Sequence, residues 1–241
     1  MSTVMLRYAV NTDLVLSEAI KDCMVDGILP TSLTITIDAA RDTVITIIDD
    51  LTNSAAHPVG LASAPIVRHE ITINAYENSI VTYKLRLVES LTDQPAALIE
   101  KRLTAKLLGA GARVDMHAAC LTKNTQRITF HTLQDHVIGD STSNVLIKAI
   151  CDDSSKLVCN SLIRIHPGAQ RSNAEQANKN ILLSKQARAV SVPQLEIEAN
   201  DVRCKHGAAV STISSEHLFY LQSRGLSVDN AKTMLLDGFL Q

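Results

Sequence analysis

From Ser32 onward, apolar and polar residues alternate with a period of two. Leu33, Ile35 and Ile37 interleave with Thr34, Thr36 and Asp38. Val44, Thr46 and Ile48 interleave with Ile45, Ile47 and Asp49, apolar on nearly both faces. Ile71 and Ile73 continue the pattern, followed by Val81, Tyr83 and Leu85 set against Ile80, Thr82 and Lys84. Side chains two apart share a face of a strand, so these segments predict strands with one buried face. Residues 52–65, with Asn53, Pro58, Gly60 and Pro65, read as a loop. In the second half, turn-forming clusters recur at Gly109-Ala110-Gly111, Lys123-Asn124-Thr125, Gly139-Asp140-Ser141, Asp152-Asp153-Ser154, Pro167-Gly168, Ser184-Lys185 and Asn200-Asp201. They fall roughly 14 residues apart, with one longer gap. Between them lie strand-like runs such as Arg127-Ile128-Thr129-Phe130 and Val145-Leu146-Ile147-Lys148-Ala149-Ile150. A strand at that spacing with no helix between predicts an all-β stack. The period alone fits a meander sandwich as well as a β-helix.

Two segments depart from the alternation. Thr12 to Gly27 predicts a short helix, capped by Asn11 or Thr12, with Leu14, Ala19, Ile20 and Cys23 as its apolar stripe and Gly27 as its stop. Beyond Val210, Ser214 or Ser215 caps a helix through Arg224, and Gly225 ends it at the position where a left-handed residue is favoured. Ser227 caps a second helix with Asp229 in its first turn, and Gly238 is its expected stop. The expected organisation is a helical N-terminal segment over 1–30, a β core over 31–210, and a C-terminal helical hairpin over 211–241. Leu218, Phe219, Leu221, Leu235 and Phe239 exceed what two short helices bury by themselves. The hairpin therefore needs the β body, a partner, or both.

Composition narrows the function classes. The 241 residues are 46% hydrophobic, with three Phe, four Tyr and no Trp, so the core is built from branched aliphatic side chains. A net charge of −2 gives no electrostatic case for nucleic acid or an anionic membrane. Neither a signal-peptide pattern nor an apolar run long enough to span a bilayer is seen. The five cysteines, Cys23, Cys120, Cys151, Cys159 and Cys204, are odd in number and widely spaced. That argues against a disulfide framework and makes a reducing cytoplasm the expected compartment.

The densest chemistry lies in the run from Pro193 to Ala208, which reads as strand, turn, strand. Cys204 and His206 are two apart on the second strand, so both project to one face with Lys205 opposite. A thiolate beside an imidazole suits iron, iron–sulfur fragments or zinc, and two ligands leave a tetrahedral site incomplete. The same residues also fit a buried cysteine and a backbone-bonded histidine. Asp135-His136 with Gln134 and His131 forms a second polar cluster. His131 and His136 are an odd number apart and face opposite ways on a strand, which disfavours a metal pair. The sequence holds no G-x-S-x-G, no H-E-x-x-H and no G-x-x-x-x-G-K-[ST], so neither these hydrolase signatures nor ATP hydrolysis by this chain is indicated.

Five ordered motifs over residues 102–240 resemble the SufB/SufD family, the scaffold subunits of SUF iron–sulfur cluster assembly. Arg164-Ile165-His166-Pro167-Gly168-Ala169-Gln170, the segment from Gln176 to Ser184, Pro193-Gln194-Leu195-Glu196-Ile197, the segment from Asp201 to Ala208, and the segment from Leu218 to Leu226 carry the likeness. Asn178, where the B type typically has cysteine, and Gly207, where the B type has Glu, make the pattern D-type. The resemblance implies a right-handed parallel β-helix with C-terminal helices. It also implies pairing through the β-helix with a SufB-like paralogue or a second copy. A SufC-like ABC ATPase would dock on the helical segment through Leu218, Phe219, Tyr220, Leu221, Arg224 and Gly225. A transient iron–sulfur cluster or iron would sit at the interface, with His206 and Cys204 as candidate ligands and no tightly bound cofactor. Residues 1–100 match the family only in β character, and the helical region looks short. Two other classes remain open at this stage: a self-pairing structural β-solenoid, and a β-helix enzyme acting on carbohydrate, which the scarcity of aromatics disfavours.

Overall fold

A computed structural model describes residues 2–8, 11–19, 32–49, 66–87 and 98–241. Strands β1 (Ser2–Tyr8) and β2 (Thr12–Val15) are followed by the single-turn helix α1 (Leu16–Ala19). Then come β3 (Ser32–Ala39), β4 (Val44–Asp49), β5 (Ile66–Ala75), β6 (Ile80–Leu87), β7 (Leu98–Leu107) and β8 (Arg113–Thr122). The series continues with β9 (Arg127–His136), β10 (Thr142–Cys151), β11 (Lys156–Ile165), β12 (Asn173–Leu182), β13 (Arg188–Ile197) and β14 (Arg203–Ser211). Helices α2 (Ser215–Ser223) and α3 (Val228–Leu240) complete the chain.

Odd strands form one seven-stranded sheet in the order β1-β3-β5-β7-β9-β11-β13, and even strands form the other, from β14 back to β2. Every strand pairs in parallel with the strand two places along, as in the full ten-residue register of β9, β11 and β13. A meander would pair consecutive strands antiparallel within one sheet. Here consecutive strands lie in opposite sheets, so the chain coils as a parallel β-solenoid with two strands per turn.

The alternation seen in the sequence is the inside–outside alternation of the coil. Leu33, Ile35 and Ile37 of β3 and Ile45 and Ile47 of β4 are buried, and their neighbours face out. Each fully buried Leu or Ile removes apolar surface worth about 1.5–3 kcal/mol. Tyr83 and Phe130 are the large rings among these inward aliphatic side chains.

The expected N-terminal helix is corrected over its first turn. Thr12–Val15 is a strand that pairs with Ile45–Ile48 of β4, and the helix covers only Leu16–Ala19. Leu14 and Leu16 point into the core, so strand pairing outweighs the helical spacing of the same residues. The solenoid thus includes strands upstream of residue 31. Residues 20–27 of the expected helix, Cys23 and the expected loop over 52–65 lie outside the described residues.

Turns stack at the corners. Asp42, Asn78, Gly111, Asp140 and Arg171 all have positive φ, with φ 55° at Asp140 and 57° at Arg171. Asn and Asp tolerate that conformation better than most residues, and glycine adopts it freely. Each of these N–H groups donates to a carbonyl of the next turn, as in Asn78 N to Ala110 O (2.9 Å) and Gly111 N to Asp140 O (2.9 Å).

Buried polar networks interrupt the apolar interior. Near the N-terminal turns, Lys101 donates to Asp49 Oδ2 (2.8 Å) and lies 3.0 Å from His69 Nδ1, while the Tyr83 hydroxyl also donates to Asp49 Oδ2. Burial pushes the Asp49 carboxyl up, but the charges of Lys101 and His69 and the two hydrogen bonds outweigh it and hold its pKa below the ordinary value. The second network centres on His136 and is fully enclosed. Ser141 Oγ donates to Ile138 O (2.8 Å), so His136 Nδ1–H donates to Ser141 Oγ (2.7 Å) and Nε2 accepts from Ser143 Oγ (2.7 Å). The neutral ring is thereby satisfied on both sides.

At the C-terminus, Ser214 and Ser227 cap α2 and α3, accepting from His217 N and Asn230 N (both 3.2 Å). Gly225, at φ 94°, closes α2. Gly238 does not stop α3, which runs on to Leu240. That extra length brings Phe239 and Leu240 onto the solenoid, with Lys148 Nζ 5.9 Å from the Phe239 ring centroid.

Candidate functional site

The last turn of the solenoid is open. β13 and β14 are the edge strands of their sheets, each paired on one side only. In the turn before, the inward residues Leu157, Cys159, Ser161, Ile163 and Ile165 are buried. Of their partners in β13, Ala189, Ser191 and Pro193 are half-buried, while Leu195 and Ile197 are exposed. Leu195 and Ile197 are each 41% exposed, and Val210 of β14 is 52% exposed. An apolar floor bounded by two unpaired strand edges is a template for another chain.

Cys204 and His206 lie on this inward face, aligned with Ala174 and Gln176 of β12, while Lys205 aligns with the outward Glu175. The structure therefore places the two side chains on one face, as their spacing requires. Their surroundings differ. Cys204 is half-buried against Ile163, Ile165, Ala169, Ala174 and Ala199, and burial raises its pKa. It is a thiol at neutral pH and loses its proton only when a cation or base compensates. His206 is exposed at the mouth of the turn. Among the described residues no group of three or more His, Cys, Asp and Glu converges to hold a metal ion.

Behind them lies a layer of amides that the sequence reading passes over apart from Asn178. Gln176, Asn178 and Asn180 point inward from β12 and are almost fully buried. Asn178 Nδ2 donates to Ser191 Oγ, tying β12 to the last strand of the opposite sheet. The spacing Gln176-x-Asn178-x-Asn180 is the signal, because period-two polar residues inside a solenoid strand all face the core. Cys159 abuts this layer, and burial pushes its thiol up to about 12 despite a hydrogen bond with Asn178. Cys120 and Cys151 are buried, and Cys120 is raised well above the ordinary thiol value, chiefly by burial. All four described cysteines are free. His131 and Asp135 lie on the outer face of β9 and His136 on the inner, so the structure does not bring the two histidines together.

The hairpin is the second feature. No residue of α2 is buried. Phe219 is 74% and Tyr220 55% exposed, and the Arg224 guanidinium sits 5.4 Å from the Tyr220 ring centroid. Leu218 and Leu221 are half-buried. Large exposed apolar and aromatic side chains grouped in this way have the composition of an interaction surface.

These features fall inside the span of one family domain. The profile of the family described as "SUF system FeS cluster assembly, SufBD core domain" matches residues 90–239, more than half of the chain. The chain belongs to this family. Its SufBD core runs from β7 through α3 and so contains both the open turn and the hairpin. Over 143 residues the chain is 32% identical to the iron-sulfur cluster assembly protein SufD of Escherichia coli K12, which covers 59% of this chain and 34% of that protein. It is 31% identical over 137 residues to the SufD of Bacillus subtilis 168, covering 57% and 31%. A SufBD family protein of Mycobacterium leprae is 29% identical over 212 residues, covering 83% and 49%. The chain thus spans a third to a half of the length of these relatives, and within the SufBD family it is SufD-like. Among the described residues no helix is long and apolar enough to cross a membrane.

Proposed function

We propose that this chain is a non-catalytic, cytoplasmic scaffold subunit for iron–sulfur cluster assembly, with its open solenoid turn as the site where the nascent cluster is held. The observation that carries this reading is the position of Cys204 and His206 on the inward face of an edge strand with exposed apolar neighbours. A SufB-like paralogue or a second copy would pair with β13 or β14, cover Leu195, Ile197 and Val210, and bring the missing ligands. The cluster is cargo here, so an incomplete site is useful: partial coordination lets it leave. Exposed His206 is the readier ligand, and Cys204 joins once its proton is displaced.

The hairpin would dock a SufC-like ABC ATPase through Leu218, Phe219, Tyr220, Leu221 and Arg224, with Gly225 setting the turn. Nucleotide-driven movement of the docked ATPase would open the β interface.

The test is co-expression with an ABC ATPase and a SufB-like protein, followed by anaerobic reconstitution with iron and sulfide. A ternary complex whose iron content falls severalfold in His206→Ala, and whose ATPase is lost in Phe219→Ala, is expected. A chain that recruits neither partner, with equal iron in wild type and His206→Ala, overturns the proposal.

A further inference from the structure

A carbonyl oxygen beside the open turn lacks a donor. Gln176 points inward from β12 and is 3% exposed, and its Oε1 is sealed without a hydrogen-bond partner among the described residues. The Oδ1 atoms of Asn178 and Asn180 are unbonded too, but both amides are held through Nδ2, which donates to Ser191 Oγ and to Ala209 O (3.5 Å) respectively.

Strand register decides which donor Gln176 can meet. On the β10 side its inward neighbour is Val145, which is buried and apolar. On the β14 side its neighbour is His206. Adjacent strands lie about 4.8 Å apart, so a glutamine amide reaches an imidazole on the next strand. Ser161 Oγ, buried in the opposite sheet, is itself unbonded and does not supply the donor. A sealed acceptor without a donor costs its desolvation and returns nothing to the isolated chain. A leucine here would pack on Val145 without that cost.

We infer that Gln176 is a positioning residue for His206: when the ring binds a metal ion through Nε2, its Nδ1–H donates to Gln176 Oε1. The inference rests on the reading of His206 as a ligand. Nε2 is the ring nitrogen farther from the backbone and reaches a ligand at the mouth of the turn. Nδ1 is nearer the backbone, within range of the neighbouring strand. A metal-bound histidine that donates its second ring N–H to a carbonyl has its tautomer and ring plane fixed. In the free chain Oε1 is unbonded, so the contact forms on loading. It relieves the desolvation cost in the loaded state alone and adds to ligand affinity rather than to the stability of the free fold.

The test titrates the full chain with zinc, a probe for Cys and His ligands, against a chromophoric chelator. Gln176→Leu is expected to weaken zinc binding about tenfold to a hundredfold. The melting temperature of the metal-free variant is expected to equal or exceed that of wild type. In zinc-loaded wild type, 15N NMR is expected to show a His206 Nδ1–H protected from exchange with water. Equal zinc affinity in wild type and Gln176→Leu, or an Nδ1–H that exchanges freely, overturns the inference. If His206→Ala still weakens binding in that case, His206 stands as a ligand without this support. Zinc binding that is absent from wild type, or the same in wild type and His206→Ala, overturns both the inference and the reading of His206.

Discussion

At the scale of single residues, burial decides what each titratable group does. His206 stands in solvent and is open to a ligand, whereas His136 is sealed between Ser141 and Ser143. Burial lowers the His136 pKa to about 4, with Asp135 opposing the shift only in part. The folded chain therefore keeps this ring neutral while unfolded chains bind its proton near the ordinary histidine value. Its contribution to stability is complete above about pH 6.5 and is lost as pH falls toward 4, at up to about 1.4 kcal/mol per unit. Urea titrations between pH 7 and pH 4 are expected to show that slope in the wild type and a flatter profile in His136→Gln. Cys204 shows the opposite consequence of burial: its raised pKa keeps it a thiol at neutral pH.

At the scale of elements, corners rather than strands are the least tolerant places. A Cβ added at Gly139 would lie 2.4 Å from Gln170 O, a backbone atom of the next turn. A Cβ at Gly168 would meet nothing within 4 Å. Gly139→Ala is accordingly expected to destabilise the solenoid by about 1–3 kcal/mol, and Gly168→Ala to change stability by less than about 0.5 kcal/mol. Thermal melts of the two variants make the comparison. In the hairpin the order is reversed. The caps at Ser214 and Ser227 hold the helices, and the exposed face of α2 carries little of the stability of the isolated chain.

At the scale of the whole molecule, the solenoid is a column with its apolar interior showing at one end. Repeat architectures stabilise each turn through its neighbours, so an open terminal turn is completed by a cap or a partner. Leu195→Lys places a charge on that open face without disturbing a closed turn. It is expected to leave the melting temperature of the isolated chain nearly unchanged and to abolish association through the solenoid, read by light scattering or analytical ultracentrifugation. A variant that still associates as well as wild type would place the interface elsewhere.

The strand character of the chain beyond Ser32, the period-two facing of its side chains and the corners from Gly109 to Asp201 were legible in the sequence. Period-two alternation and turn residues such as Asn124 and Asp140 report local backbone geometry, which is encoded locally. The facing of Cys204 and His206 was legible for the same reason. Three things were decided only by the tertiary structure. Thr12–Val15 became a strand because its partner in β4 lies about 33 residues away. The burial of Lys101 is compensated by Asp49 from the opposite sheet, whose carboxylate Tyr83 also bonds. Lys84 and His117, 33 residues apart in the chain, become neighbours only in register. All three depend on which turns stack on which. A linear pattern states which way a side chain points, and only the closed coil determines what it meets there.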